Sequence, residues 1–281
     1  HMVVRRGSRL LLPRAQRALQ PGLRAALRSH RAGVSTEAVA LAARPSLAVV
    51  GAEGLRFPVN NVYCVGRNYS EHAREMRALG DTSGDEREPP FFFLKPGDAL
   101  LSHAAGDALD SALVMPYPPQ TEALHYEAEL VVCMAEGGQS IPVERALEKV
   151  YGYAVGLDMT RRDLQDDAKK KGRPWDAAKA FAHSAPCTAV VPAAASTGGK
   201  FEGRIWLQVD GEMKQDSDIN CLTWGVAETI AALSASFTLQ PGDIIMTGTP
   251  AGVGPVRPGQ LVTAGVDSLG LTGLHLAVEI R

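Results

Sequence analysis

The residues best suited to chemistry in this 281-residue chain are His125-Tyr126-Glu127-Ala128-Glu129. In an extended strand, positions i, i+2 and i+4 share one face, which puts His125, Glu127 and Glu129 side by side. Leu130-Val131-Val132 then carries the strand toward a core. Two carboxylates near a core repel each other and are costly to bury. A hard divalent cation resolves both problems, because Mg²⁺, Mn²⁺ and Ca²⁺ favour oxygen donors. The alternative is a solvated strand face with like charges. Oxygen-rich neighbours argue against zinc on His125, which leaves it an orienting or substrate-facing role. An open tripod needs a third carboxylate. Asp158 fits, because it ends the apolar run Tyr151–Leu157 and should sit at the rim of the core; it would serve equally as a helix N-cap.

His72 and Glu75 are spaced i, i+3, close enough to touch on a helix. A carboxylate beside an imidazole fixes its tautomer and raises its basicity, and such a pair can activate water. An incidental surface ion pair has the same spacing. Lys95 and Lys179 are single lysines in apolar text (FFFLKP, AAKAFAHS), suited to hold a substrate carboxylate or a developing oxyanion, unless their tips reach solvent. Arg162 and Gln165 share a helix face just after Asp158, whereas Lys169-Lys170-Lys171 reads as a solvated face.

These groups need a scaffold. Ser46–Pro58 and the pair 205–209 and 212–215 read as hairpins, the second turning on Asp210-Gly211. Strands are predicted over 61–66, 91–95, 124–134, 151–159, 243–247 and 274–280. Helices are predicted over 69–79, 143–150, 160–171 with Thr160 as N-cap, and 223–234. With 28 glycines and 18 prolines marking many turns, the expectation is a single β-rich α+β domain over residues 41–281. No Gly-x-Gly-x-x-Gly follows a strand, so a dinucleotide site is not indicated.

Composition excludes other classes. The chain has 29 basic and 31 acidic residues, a formal charge of −2, which does not suit a nucleic-acid binder. No apolar run approaches the ~18 residues of a membrane span. Cys64, Cys133, Cys187 and Cys221 lie far apart, without the spacing of a zinc site, and suggest a reducing compartment. Residues 1–36 hold eight arginines and no acid, the composition of a mitochondrial transit segment or of a disordered basic tail. Residues 1–40 are therefore expected to be a leader. A mitochondrial location is expected if it targets, a cytoplasmic one otherwise.

Seven segments in order resemble the fumarylacetoacetate hydrolase family: VGRNYSEHAREM (65–76), PPFFFLKPGDAL (89–100), LHYEAELVV (124–132), YGYAVGLDMTRRDLQ (151–165), KGRPWDAAKAFAHSAP (171–186), VDGEMKQ (209–215) and PGDIIMTGTPAGVGPV (241–256). Within it, the chain looks closest to the acylpyruvate and fumarylpyruvate hydrolases. The resemblance implies a β-sheet roll, usually a homodimer, with Mg²⁺ or Mn²⁺ on Glu127, Glu129 and Asp158. It implies that His72 and Glu75 ride a lid helix as catalytic base, and that Lys179 and Gln165 line the substrate pocket. Arg162 and Thr249 would lie near the substrate carboxylate, with Lys95 as a further contact. Tyr126 stands where the family often has a second histidine. The implied reaction is metal-dependent hydrolysis of a carbon–carbon bond in a 2,4-dioxo acid. Oxaloacetate decarboxylation and a catalytically silent metal-binding role are the alternatives.

Overall fold

The computed structural model describes residues 43–72, 75, 87–195 and 201–281. The expected leader, residues 1–40, and residues 73–74 and 76–86 fall outside them. Arg44–Arg281 forms one unit.

Its centre is a six-stranded mixed sheet of β3 (Asn61–Gly66), β4 (Phe91–Pro96), β8 (Ala128–Met134), β9 (Val150–Leu157), β12 (Val191–Pro192) and β15 (Ile244–Met246), ordered β12-β9-β8-β15-β3-β4. Both faces of this sheet are buried. Along β8, Leu130, Val132 and Met134 enter the main core, while Val131 and Cys133 enter a second, smaller one. Tyr63 and Val65 of β3 likewise face the main core, with Val62 and Cys64 on the other side. A strand covered on both faces reads as a continuous apolar run, which is why LVVCM lacks alternation. The buried cysteines behave as small apolar fillers.

A five-stranded sheet completes the main core. It runs β14 (Glu212–Asp218), β13 (Arg204–Val209), β17 (Leu261–Val266), β18 (His275–Ile280) and β6 (Leu113–Met115). The β13–β14 hairpin turns on Asp210 and Gly211, at φ 50° and 82°, as a two-residue turn with both centres left-handed requires. A three-stranded sheet of β10 (Thr160–Arg161), β7 (Leu124–Tyr126) and β16 (Gly254–Val256) borders the site. Short strands β1 (Ser46–Ala48) and β2 (Arg56–Pro58) form the expected first hairpin. The helices include α1 (Val143–Ala146), α2 (Arg162–Lys170), α3 (Asp176–Lys179) and α4 (Val226–Ser236). The architecture is the β-rich α+β roll that the family resemblance implies, with few short helices.

Three local expectations change. The strand expected over 124–134 is interrupted at Glu127 and divides between two sheets. The break is held by a side chain, for Ala128 N–H donates to Gln215 Oε1 at 3.0 Å. Thr160 does not cap the following helix; it lies in β10, and its hydroxyl donates to the Asp158 carbonyl at 3.1 Å. The last helix starts at Val226 rather than 223, because Trp224 N–H is drawn to Asn68 Oδ1 at 2.7 Å. Of the helix expected over 69–79, Ser70–His72 and Glu75 are helical, and the rest lies outside the described residues.

Candidate metal centre and active site

Antiparallel pairing of β8 with β9 puts Ala128 opposite Leu157 and Glu129 opposite Gly156. Asp158 therefore leaves β9 beside Glu127, and Asp158 N–H donates to the Glu127 carbonyl at 2.9 Å. One oxygen each of Glu127, Glu129 and Asp158 lies within 4.8 Å of the others, and all three residues are buried. The carboxylates thus converge even though the strand breaks between them.

Three cations surround this cluster. Lys179, from α3, bridges Glu127 Oε2 at 2.8 Å and Asp158 Oδ2 at 2.7 Å. Arg162 pairs with Glu127 Oε1, and its Nη1 donates to Gln165 Oε1 at 2.5 Å. Lys95 reaches Asp158 Oδ1 at 2.8 Å and donates to the carbonyls of Met159 and Lys179 at 3.0 and 2.5 Å. Lys95 is fully buried and is absent from the wall of the cleft. Its contacts lie behind the carboxylates, so the structure does not bring it to the place of a substrate contact.

The electrostatics divide the carboxylates. Burial alone would raise Glu127, but Lys179 and Arg162 overcome it and hold the carboxyl well below its usual range. Burial works against the charge of Lys179 as well, and Asp158 and Glu127 outweigh it, keeping the ammonium protonated. Glu129 has no ion-pair partner among the described residues; its hydrogen bond comes from Gly248 N–H at 2.7 Å. Burial, then the charges of Asp158 and Glu127, push it well above the carboxylate range. An all-oxygen triad with one member driven toward its neutral form fits a hard divalent cation, which would restore Glu129 to its charged state.

The triad faces a cleft whose wall includes His72, Arg162, Gln165, Lys179 and Thr249. His72 Nδ1 lies 3.1 Å from Glu75 Oε2, and Glu75 also accepts from Gly252 N–H at 3.2 Å. Burial raises Glu75, yet the hydrogen bonds from His72 and Gly252 outweigh it and set its carboxyl below the ordinary value. An ionised Glu75 places the imidazole proton on Nδ1 and leaves Nε2 as the basic atom. Gly252 is at φ +96°, where a Cβ would stand 2.1 Å from the Lys214 carbonyl, so only glycine presents this amide. His125 is half-buried, with Nδ1 3.5 Å from Arg162 Nε, and does not line the cleft. Burial and then Arg162 lower its pKa to about 4, so it is neutral near pH 7.

Two supports escape sequence reasoning. Gln215, fully buried, accepts from Ala128 and donates at 2.8 Å to both Thr249 Oγ1 and the Pro250 carbonyl. It thereby ties the strand break at Glu127 to the loop carrying Thr249. Asn68 donates to the carbonyls of Trp224 and Thr247 at 2.9 and 2.8 Å, anchoring the approach to His72. The only signal for either was its place in the motif text. Lys169 is a third omission: it lines the cleft, whereas Lys170 and Lys171 are exposed.

Residues 61–275 match the family described as fumarylacetoacetate (FAA) hydrolase C-terminal. An oxaloacetate tautomerase FAHD1, mitochondrial, of Homo sapiens is 39% identical over 219 residues, covering 78% of this chain and 91% of that protein. A fumarylpyruvate hydrolase of Ralstonia sp is 43% identical over 183 residues, 65% of this chain and 90% of that one. The crystal structure of fumarylpyruvate hydrolase from Pseudomonas aeruginosa in complex with Mn²⁺ and pyruvate matches with a TM-score of 0.78 at 50% identity, covering 87% of this chain and 98% of that chain. By sequence and by fold, the chain belongs to the fumarylacetoacetate hydrolase family.

Proposed function

We propose that this protein hydrolyses the carbon–carbon bond of a 2,4-dioxo acid of the acylpyruvate type, fumarylpyruvate being the model substrate. The observation that carries this is the meeting, in one cleft, of a base pair and a carboxylate triad: His72 with Glu75, facing Glu127, Glu129 and Asp158. A silent binding protein has no use for the oriented imidazole.

Glu127, Glu129 and Asp158 would hold Mg²⁺ or Mn²⁺, which supplies Lewis-acid polarisation of the 2-oxo acid oxygens. The fumarylpyruvate hydrolase crystallised with Mn²⁺ and pyruvate supports this choice of ion and of ligand. Arg162, Gln165 and Thr249 would orient the carboxylate end of the substrate. His72 Nε2 takes a proton from water, and the hydroxide attacks the carbonyl at C4. The C3–C4 bond breaks, its electron pair passing to C3 as the pyruvate enolate, while the acyl carbon keeps the hydroxyl. The Lys179 ammonium stabilises the enolate oxygen. His72 returns its proton to C3, giving pyruvate and the free acid. Lys95, from behind Asp158, acts as a positioning residue for Asp158 and for the Lys179 backbone.

The second reading follows from the mitochondrial relatives, which are named oxaloacetate tautomerases. It moves the alternative substrate chemistry from loss of CO₂ toward keto–enol proton transfer, for which the same base and cation set would serve. The same names, with the arginine-rich acid-free start, support mitochondrial action. A homodimer is the family expectation, tested by light scattering. Among the described residues no helix is long and apolar enough to cross a membrane.

The deciding assay compares acylpyruvate cleavage, oxaloacetate decarboxylation and oxaloacetate enol–keto exchange, each with Mg²⁺ and with EDTA. Metal-dependent acylpyruvate cleavage well above both oxaloacetate activities is expected. Preferential exchange or CO₂ release would overturn the hydrolase reading.

A further inference from the structure

We infer that Gln215 is a positioning residue for the base: through the loop 249–252 it holds the His72–Glu75 pair at a fixed place facing the carboxylate triad. This role rests on the hydrolase reading and deepens it, by naming what sets the base against the metal ligands.

The strand β14 is irregular where Gln215 sits. Leu207 pairs with Gln215 and Gln208 with Met213, so Lys214 is an extra residue that bulges from the ladder. A bulge breaks the alternation of a strand and re-aims the side chains beside it. Gln215 is turned inward and fully buried, between half-buried Lys214 and exposed Asp216. A buried amide is costly unless its polar groups are paired. Here the carbonyl oxygen and both amide hydrogens are used, and they join two functional segments. Oε1 accepts at 3.0 Å from the N–H of Ala128, the residue between Glu127 and Glu129. Nε2 donates at 2.8 Å to Thr249 Oγ1 and to the Pro250 carbonyl.

Two residues beyond Pro250, the Gly252 Cα lies against the Lys214 carbonyl, at the bulge itself. The loop is thus fastened to β14 by a side chain at one end and by backbone packing at the other. Gly252 N–H then donates to both Glu75 oxygens at 3.2 Å, and Glu75 Oε2 meets His72 Nδ1 at 3.1 Å. The path from the triad to the base therefore runs through Ala128, Gln215, the loop 249–252 and Glu75 to His72. An apolar side chain in place of Gln215 would fill the volume and make neither tie. A base must stand within hydrogen-bond reach of the proton it takes, and a misplacement of about 1 Å can cost about 10²-fold in rate.

The test measures kcat on fumarylpyruvate at saturating Mn²⁺ for Gln215→Leu and Gly252→Ala, each alone and combined with His72→Ala. Gly259→Ala is the control, because Gly259 has a similar φ of +90° with open space around its Cα. Misplacement of the base predicts that either single change lowers kcat about ten- to a hundredfold. In the His72→Ala background the further fall should be less than about threefold, since both changes act through the missing imidazole. Gly259→Ala should turn over as wild type. Losses that multiply in the His72→Ala background, or single variants near wild type, would overturn the positioning role. If Gln215→Leu does not fold, the pattern is read from Gln215→Met and Gly252→Ala. A second readout needs no turnover: carbon-13 NMR titration of the Glu75 carboxyl, assigned with Glu75→Gln. Gln215→Leu and Gly252→Ala should both move it upward, because burial is then opposed without the Gly252 amide. Wild type that cleaves no acylpyruvate refutes the hydrolase reading instead. In that case an upward shift still upholds the positioning role, and an unmoved titration removes it.

Discussion

Lys179→Met separates the two ways in which the carboxylate cluster can be neutralised. The Lys179 ammonium is buried and bridges Glu127 and Asp158 at 2.8 and 2.7 Å. Methionine keeps most of its volume and removes the charge. Breaking a buried ion pair by deleting one partner costs about 3–5 kcal/mol. Here Glu127 keeps Arg162 and Asp158 keeps Lys95, which places the loss at the lower end, about 3 kcal/mol. For a unit of this size that is a fall in Tm of about 6–12 °C in EDTA. The same carboxylates are the proposed ligands of the divalent ion, so saturating Mn²⁺ supplies the missing positive charge. The deficit should then shrink to less than half, measured by melting wild type and variant in EDTA and in Mn²⁺. Turnover in Mn²⁺ should stay low, because the enolate loses its ammonium. Equal Tm deficits with and without the metal would refute the idea that ion and lysine act on one cluster.

His72→Ala should leave Mn²⁺ affinity unchanged and lower kcat by about 10²–10⁴, the usual contribution of a general base; near-normal turnover would remove its role. Glu75 is held below its ordinary pKa, so its contribution to stability is present above the unfolded carboxylate value and is lost as pH falls through the folded one. The Tm gap between wild type and Glu75→Gln should therefore be open at pH 7 and close on acidification below the ordinary carboxylate range. Gln215→Leu strands the Ala128 amide and frees the Thr249 loop, and should cost about 1–3 kcal/mol in urea unfolding. A weaker Mn²⁺ affinity should accompany it, since Glu127 and Glu129 flank that amide. Lys95, Lys179 and Arg162 already pair with Glu127 and Asp158 and together match the charge of the three carboxylates, so the added charge of the metal is left for a substrate anion to balance. Oxalate should accordingly tighten Mn²⁺ binding, and Mn²⁺ should tighten oxalate by the same factor.

The chain's local text determined a good deal of this. Alternation and apolar runs located β3, β4, β9, β13, β15 and β18 to within a residue or two, because burial on a pleated strand depends on positions two apart. Asp210-Gly211 determined its turn, since few residues tolerate two left-handed centres. Glu127 and Glu129 were legible as a pair for the same reason. The i, i+3 spacing of His72 and Glu75 made them a plausible dyad. Only the tertiary structure decided the rest. That Asp158 joins the pair depends on the antiparallel register of β8 with β9, set by which side chains fill both cores. That Lys95 lies behind the carboxylates and Lys179 between them depends on where β4 and α3 dock; their similar apolar flanks do not distinguish them. Lys169 parts from Lys170 and Lys171 because a helix turns 100° per residue, and only packing says which way its face points. Gln215 closes the strand break from another sheet, 87 residues along the chain. Periodicity records a side chain's face, but the partner across the core is fixed by how the whole chain buries its apolar surface.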